Sequence, residues 1–251
     1  MDKKTLLRKK LSKIMVDFLP RIFSLINSHH PGESQLKADG SPVTALDLAL
    51  SDLLEKMGQE HFPDVTVYSE ENFSTWDFPL LAIDPIDGTK EYLLNRPEWV
   101  ISIGVLESKN FIGEGWIFNP LTQELFTSEL PQVPFVKKAH YVGEVSHSEW
   151  DKGLYQGVQD PRIQLTPKGS IAYKLGRLSQ GKSDFVVSLA PKNIWDIAAG
   201  TLLCGQSGIK FYSEGKEVTE VKPVYQPPLW WCFSEVSSEL SEIFYSQDKD
   251  L

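Results

Sequence analysis

The segment Asp84-Pro85-Ile86-Asp87-Gly88-Thr89 sets two carboxylates three residues apart, where the short apolar run 79–83 ends. A hard divalent cation such as Mg²⁺ takes oxygen ligands from carboxylates, backbone carbonyls and water. Pro85 stiffens the turn, and Gly88 allows the backbone to come close to a ligand. The N–H groups of Gly88 and Thr89 open a short helix expected over 90–94, and a helix start attracts anions. One segment thus offers cation ligands on one side and an anion cradle on the other. Taken alone it also reads as a plain turn, because Asp-Pro and Asp-Gly are turn dipeptides and Asp is an ordinary N-cap.

Other acids occupy similar places. Glu70-Glu71 follows a strand expected over 65–68, and Asp196 opens a helix within Trp195-Asp-Ile-Ala-Ala-Gly200. Asp196 alone reads equally well as a cap, and Glu71 is read as structural. Together, Glu70, Asp84, Asp87 and Asp196 form a set that two Mg²⁺ ions would neutralise while still attracting a phosphate. Thr44-Ala-Leu-Asp47 matches a capping box with an acid at its third helical position. It also matches a site in which Asp47 orients Thr89 or a water, and spacing alone does not choose between the two.

The chain has 251 residues, with 34 acidic against 25 basic side chains and a net charge of −9. That balance disfavours a nucleic-acid-binding surface, so an anionic substrate would need a bound cation to draw it in. Cys204 and Cys232 form no CxxC and no Cys/His cluster, and they read as buried core thiols of a reducing compartment. The five histidines contain no i, i+4 pair and are read as packing or capping residues. The basic start (Lys3, Lys4, Arg8, Lys9, Lys10) is followed by no uninterrupted apolar region, and no run approaches the roughly 20 residues of a membrane span. A cytoplasmic protein is the expectation.

The elements that must carry these residues follow from periodicity. Apolar residues from Leu7 to Ile26 predict a helix over 6–26, kinked at Pro20, and a second helix is predicted over 44–58. Strands are expected over 65–68, 79–83, 99–106 and 111–118, the last two paired around 108–110, with 125–126 continuing the sheet. The proline-bounded stretch 131–134 is read as the boundary between lobes 1–133 and 134–251. Beyond it, strands near Tyr141 and Ile163 and over 184–189 and 209–212 alternate with helices over 150–156, 170–180 and 194–206. That alternation predicts an α/β lobe.

With these motifs in this order, the sequence resembles the inositol monophosphatase family of Mg²⁺-dependent, lithium-sensitive phosphatases. The resemblance runs through Lys37 to Asp47, Ser69 to Asn72, Asp84 to Thr89, Gly169-Ser170 and Trp195 to Gly200. It implies a layered αβαβα sandwich of an α+β lobe and an α/β lobe, with the site between them. It implies that Glu70, Asp84, the Ile86 carbonyl, Asp87 and Asp196 hold two or three Mg²⁺ ions, and that Asp47 and Thr89 activate a water. Gly88 and Thr89 would hold the phosphate through their N–H groups, with Gly169, Ser170 and Lys174 as further substrate contacts. Lys174 reads equally as a solvated side chain.

Within the family, Lys90-Glu91-Tyr92, Lys37-Ala-Asp and Asn193-Ile-Trp-Asp196 resemble the branch that removes the 3′-phosphate from adenosine 3′,5′-bisphosphate. Two departures fall where that branch would read its nucleotide. Glu144-Val-Ser-His147 stands in place of Ser-Arg-Ser-His, and Ser188-Leu189 stands where an Arg is usual. An inositol or sugar monophosphatase is the alternative. A non-catalytic metal-binding scaffold is disfavoured because it needs no water-activating pair. The implied partner is a small phosphorylated metabolite, and the implied assembly a monomer or homodimer.

Overall fold

The computed structural model describes residues 11–32, 34–37, 40–72 and 75–244. The part of the first predicted helix over 6–10 lies outside the described residues. Helix α1 (Leu11–Ser28) buries Leu11, Ile14, Met15, Phe18 and Ile22 on one face. It runs on through Pro20, where a kink was predicted. Pro20 is on the exposed face, where water can take the carbonyl that loses its partner. The hairpin β1 (Ser34–Leu36) and β2 (Pro42–Thr44) leads into α2 (Ala45–His61), whose Leu46, Leu50, Leu54 and Met57 are buried.

A five-stranded sheet follows, from β3 (Thr66–Ser69), β4 (Leu80–Asp87), β5 (Val100–Leu106), β6 (Gly113–Phe118) and β7 (Leu125–Thr127), in that spatial order. Strand β3 is parallel to β4 and the remaining pairs are antiparallel. Along β4 the side chains alternate between two cores. Leu81 and Ile83 pack with α1 and α2, while Leu80 and Ala82 face the other way. A short helix α3 (Thr89–Leu93) links β4 to the segment before β5.

The second sheet is mixed. It contains β8 (Tyr141–Ser146), β9 (Ile163–Lys168), β10 (Phe185–Ser188), β12 (Ile209–Ser213), β13 (Lys216–Glu217) and β15 (Leu229–Phe233), ordered β13-β12-β15-β10-β8-β9. A separate two-residue ladder pairs β11 (Lys192–Asn193) with β14 (Val224–Tyr225). Helices α5 (Ile171–Ser179) and α6 (Ile194–Gln206) lie between the two sheets, and α7 (Ser234–Phe244) packs on the far face of the second. The layers therefore run αβαβα. Helix α4 (His147–Asp151) is capped by Ser146 and ends where the sequence predicted a helix over 150–156. Among the described residues, no helix is long and apolar enough to cross a membrane.

Contact between α6 and the first sheet depends on small residues. A Cβ added at Gly104 would come within 2.9 Å of the Ala198 Cβ, and one at Gly115 within 2.4 Å of the Ala199 carbonyl oxygen. On its other side, a Cβ at Gly200 would stand 2.3 Å from the Leu175 Cβ of α5. Backbone is thus packed nearly against backbone, which leaves no room for repacking. Gly115→Ala is expected to cost about 1–3 kcal/mol through overpacking, read as a lower midpoint in urea. A wild-type midpoint would mean that helix and sheet can part at no cost.

Candidate active site

The acids meet at the end of β4. Between the pairs Asp84↔Ser102 and Asp87↔Val100 the register with β5 shifts, so Pro85 and Ile86 bulge out of the ladder. Asp84 is buried, and its Oδ1 accepts from the Ile86 N–H at 3.0 Å. That local bond makes the turn the dipeptide predicts. Parallel pairing places the end of β3 beside β4, and the Glu70 N–H donates to the Ile83 carbonyl at 3.1 Å. Asp196 enters from the first turn of α6, where its Oδ2 accepts from the Asn193 N–H at 2.9 Å.

Asp87 faces the start of α5. Its Oδ2 accepts from the Ser170 hydroxyl and the Ala172 N–H, each at 2.5 Å. Asp47 sits in the first turn of α2, where it closes the cap and also meets Thr89, so the two readings left open by its spacing are compatible. Its Oδ2 accepts from the Thr44 N–H at 2.8 Å and the Thr44 hydroxyl at 2.5 Å. Its Oδ1 is 3.1 Å from the Thr89 hydroxyl, which is also 3.1 Å from the Ile86 carbonyl oxygen. Four helix starts thus converge on one strand end, each carrying a residue singled out by the sequence.

Crowding of like charge shapes the electrostatics. Burial, followed by the charges of Glu70, Asp87 and Asp196, pushes the Asp84 carboxyl well above its ordinary range. The Glu70 and Asp84 carboxyls are close enough for each to shift the other, in opposite directions. Asp196 is pushed up to about 7 by burial and by Asp87. Burial raises Asp87 as well, against the stabilising bonds from Ser170 and Ala172 and the nearby Lys174 and Lys192. Asp47 is raised by burial, an effect its Thr44 and Thr89 bonds oppose.

Two features of this cluster have no motif of their own in the sequence. The Lys37 ammonium lies 2.6 Å from both Glu70 Oε1 and Glu71 Oε1. Burial disfavours that ammonium, and the two carboxylates more than offset it, so its proton is held above the usual lysine range. Glu98 accepts from the Gly169 N–H at 2.8 Å and from His147 Nε2 at 2.6 Å. Lys37 is visible in the sequence only as part of a branch motif. Glu98 carries no local signal.

The remaining predicted residues are placed as follows. Gly88 has φ +100, and a Cβ there would lie 3.2 Å from the Glu98 carbonyl oxygen, so the turn requires glycine. The Gly169 N–H is taken by Glu98, and a Cβ at Gly169 would meet the Glu91 Cγ at 2.3 Å. The Ser170 hydroxyl is taken by Asp87. Lys174 is buried and donates to the Lys168 carbonyl at 3.0 Å, which corrects the solvated reading. Burial lowers its ammonium to about 8, with Asp87 acting in the opposite direction. A cavity of about 800 Å³, lined in part by Phe111, Leu130, Gln206 and Val218, lies by the other end of α6 and away from these acids.

The donor chemistry fits a hard cation. Glu70, Asp84, Asp87, Asp196 and the Ile86 carbonyl offer only oxygen, and the carboxylates carry charge that must be protonated or neutralised. Among the described residues, no three Asp, Glu, His or Cys side chains already stand around one ion-sized point. Glu70 is turned toward Lys37, so ion binding would require side-chain rotation there. In chelator, Asp84→Asn is expected to melt higher than the unaltered chain, because the amide keeps the acceptor for the Ile86 N–H and is neutral with no proton to take up. A fall of several degrees in a thermal melt would contradict the crowding.

Known proteins share this architecture. A solved inositol monophosphatase (IMPase) of Thermotoga maritima superposes with TM-score 0.77 at 21% identity, covering 92% of this chain and 95% of that one. Staphylococcal IMPase-II gives TM-score 0.77 at 16% identity, covering 98% of each chain. Among curated relatives, 3′(2′),5′-bisphosphate nucleotidase CysQ of Escherichia coli (strain K12) is 26% identical, covering 74% of this chain and 82% of that one. Inositol monophosphatase 2 of Solanum lycopersicum is 28% identical, with 66% and 72% covered. The family model described as "Inositol monophosphatase family" matches residues 7–221, and the chain belongs to that family.

Proposed function

We propose that this phosphatase is a Mg²⁺-dependent phosphomonoesterase whose substrate is adenosine 3′,5′-bisphosphate, releasing AMP and phosphate. The hydrogen bond from Thr89 to Asp47, set beside the crowded acids, carries the catalytic reading. The Lys90-Glu91-Tyr92 and Asn193-Ile-Trp-Asp196 motifs, and the likeness to a CysQ nucleotidase, support the substrate. The chain is read as lobes 1–133 and 134–251 with the site between them, since acids from both sheets' surroundings meet there. The free, buried thiols of Cys204 and Cys232 support a reducing, cytoplasmic setting.

In this reading Glu70, Asp84, the Ile86 carbonyl, Asp87 and Asp196 hold the Mg²⁺. When bound, the ion supplies Lewis-acid stabilisation of the phosphate oxygens and of the leaving alkoxide. The two Thr44 bonds fix the Asp47 carboxylate, leaving Oδ1 to accept the Thr89 proton. With its proton so directed, Thr89 Oγ1 presents a lone pair that accepts from the attacking water and turns the water's own lone pair toward phosphorus. As attack proceeds, that water proton passes to Thr89 Oγ1 while the threonine proton moves to Asp47 Oδ1. Burial of Asp47 raises its basicity, in the direction this transfer needs. Gly88 and Thr89 N–H groups cradle the phosphate as its charge grows.

A second reading, an inositol or sugar monophosphatase, is favoured by the two departures from the nucleotidase pattern. Buried Glu149 accepts from Ser188 Oγ at 2.8 Å, the Leu189 N–H at 3.2 Å and Tyr155 Oη at 2.5 Å. The position where the branch usually has an Arg is thus taken up by a self-satisfied acidic network.

Phosphate release with Mg²⁺ from adenosine 3′,5′-bisphosphate and from inositol 1-phosphate, run in parallel, separates the readings. A preference for the nucleotide is expected, and a preference for the inositol ester would install the second reading. On the better substrate, Thr89→Ala is expected to lower kcat by about 10²-fold or more with KM little changed, and Thr89→Ser to restore most of it. Unchanged kcat in Thr89→Ala would remove the Asp47–Thr89 pair from the mechanism. Asp196→Asn is expected to abolish turnover while leaving the circular dichroism spectrum unaltered, and activity like that of the unaltered chain would remove Asp196 from the site.

A further inference from the structure

Glu98 stands just before β5 and reaches across to the start of α5. Its Oε2 accepts from the Gly169 N–H at 2.8 Å and from His147 Nε2 at 2.6 Å, and its Oε1 lies 3.3 Å from the Lys168 ammonium. Its main chain serves the same contact, since a Cβ at Gly169 would come within 2.9 Å of the Glu98 carbonyl oxygen. Burial works against ionisation of Glu98, but the Gly169 N–H, His147 and Lys168 prevail and hold its carboxyl below the usual range. It therefore stays an acceptor.

What Glu98 grips is a strained turn. Ser170, the residue after Gly169, has φ +52 and ψ 122, a conformation that a residue with a side chain keeps only when its surroundings enforce it. From that conformation Ser170 Oγ reaches Asp87 Oδ2 at 2.5 Å, and the Ala172 N–H reaches the same oxygen at 2.5 Å. With Oδ2 occupied, Asp87 has Oδ1 left for a cation. The contacts thus form a relay from Glu98 through Gly169 and Ser170 to Asp87.

We propose that Glu98 is a positioning residue for the cation site: by holding the Gly169 N–H it fixes the Ser170 turn and so aims Asp87. His147, which matches the last residue of the Ser-Arg-Ser-His pattern, and Lys168 seat Glu98 rather than read the substrate. The inference rests on Asp87 being a ligand to the ion. Outer partners of metal ligands act by orienting them, and their loss weakens the metal more than it weakens the fold.

Calorimetric titration of the full chain with Mg²⁺, paired with thermal melts in chelator, tests this without a substrate. Glu98→Ala is expected to weaken Mg²⁺ binding about tenfold or more, with the chelated melting temperature little altered. Glu98→Gln keeps a carbonyl oxygen for the Gly169 N–H and is expected to recover most of the affinity. If Glu98→Ala does not fold, Ser170→Ala breaks the same relay one step later and is expected to weaken Mg²⁺ similarly. Binding by Glu98→Ala equal to that of the unaltered chain would overturn the proposal alone. So would equal weakening in the Ala and Gln variants accompanied by a fall of both melting temperatures, which is the pattern of a merely structural residue. Absence of Mg²⁺ binding by the unaltered chain would overturn the cation-site reading, and this relay with it.

Discussion

Carboxylates brought together at one largely buried strand end repel one another, and each loses hydration there. The rest of the site is arranged around that cost. Burial and its acidic neighbours push the Asp84 carboxyl up, Glu70 and Glu71 turn to the Lys37 ammonium, and Asp87 is tied down by a hydroxyl and a helical N–H. A buried lysine, Lys174, stands close enough for Asp87 to oppose the loss of its charge. These are the compensations a protein makes when such acids are kept for something other than stability. A divalent cation relieves the same repulsion more directly, because it neutralises without consuming a proton.

The fold meets this constraint by making helix starts do two jobs. Asp47 and Asp196 both close capping boxes, at α2 and α6, and both point into the cluster. The same carboxylate that would be costly in an apolar core is partly stabilised by the N–H groups at the start of its own helix. Placement then depends on how closely the helices approach the sheets. Helix α6 reaches β5 and β6 only because Gly104 and Gly115 oppose Ala198 and Ala199. Positions 92 and 81 residues away in sequence therefore bear on where Asp196 can stand.

Much of this was legible in the sequence because the information is local. The turn at Asp84 to Thr89 and the first turns of α2 and α6 each carry their acid and its supporting residues within a few positions. Helices with a clear apolar stripe were also readable, down to the small face of Ala198, Ala199 and Gly200. The central strand β15 was not, because Leu229-Trp-Trp-Cys-Phe233 is buried on both sides and shows no alternation. Nor was α7, which follows it directly. Lys37 with Glu70 and Glu71, and Glu98 with Gly169, pair across separations of 33, 34 and 71 residues. No local pattern encodes such pairs, and they appear only when the chain has folded. Lys174 is a related case, since helical spacing could not tell a buried ammonium from a solvated one.

The network around Glu149 bears on how the end of β10 can accept substitutions. Tyr155, Ser188 and the Leu189 N–H together occupy both oxygens of that carboxylate. Replacing Ser188 alone removes one donor and leaves a buried carboxyl oxygen short of a partner, whereas replacing Glu149 alone strands a tyrosine hydroxyl. Each single step passes through a destabilised intermediate, and only a joint replacement avoids it. The three side chains are therefore exchangeable as a unit rather than residue by residue.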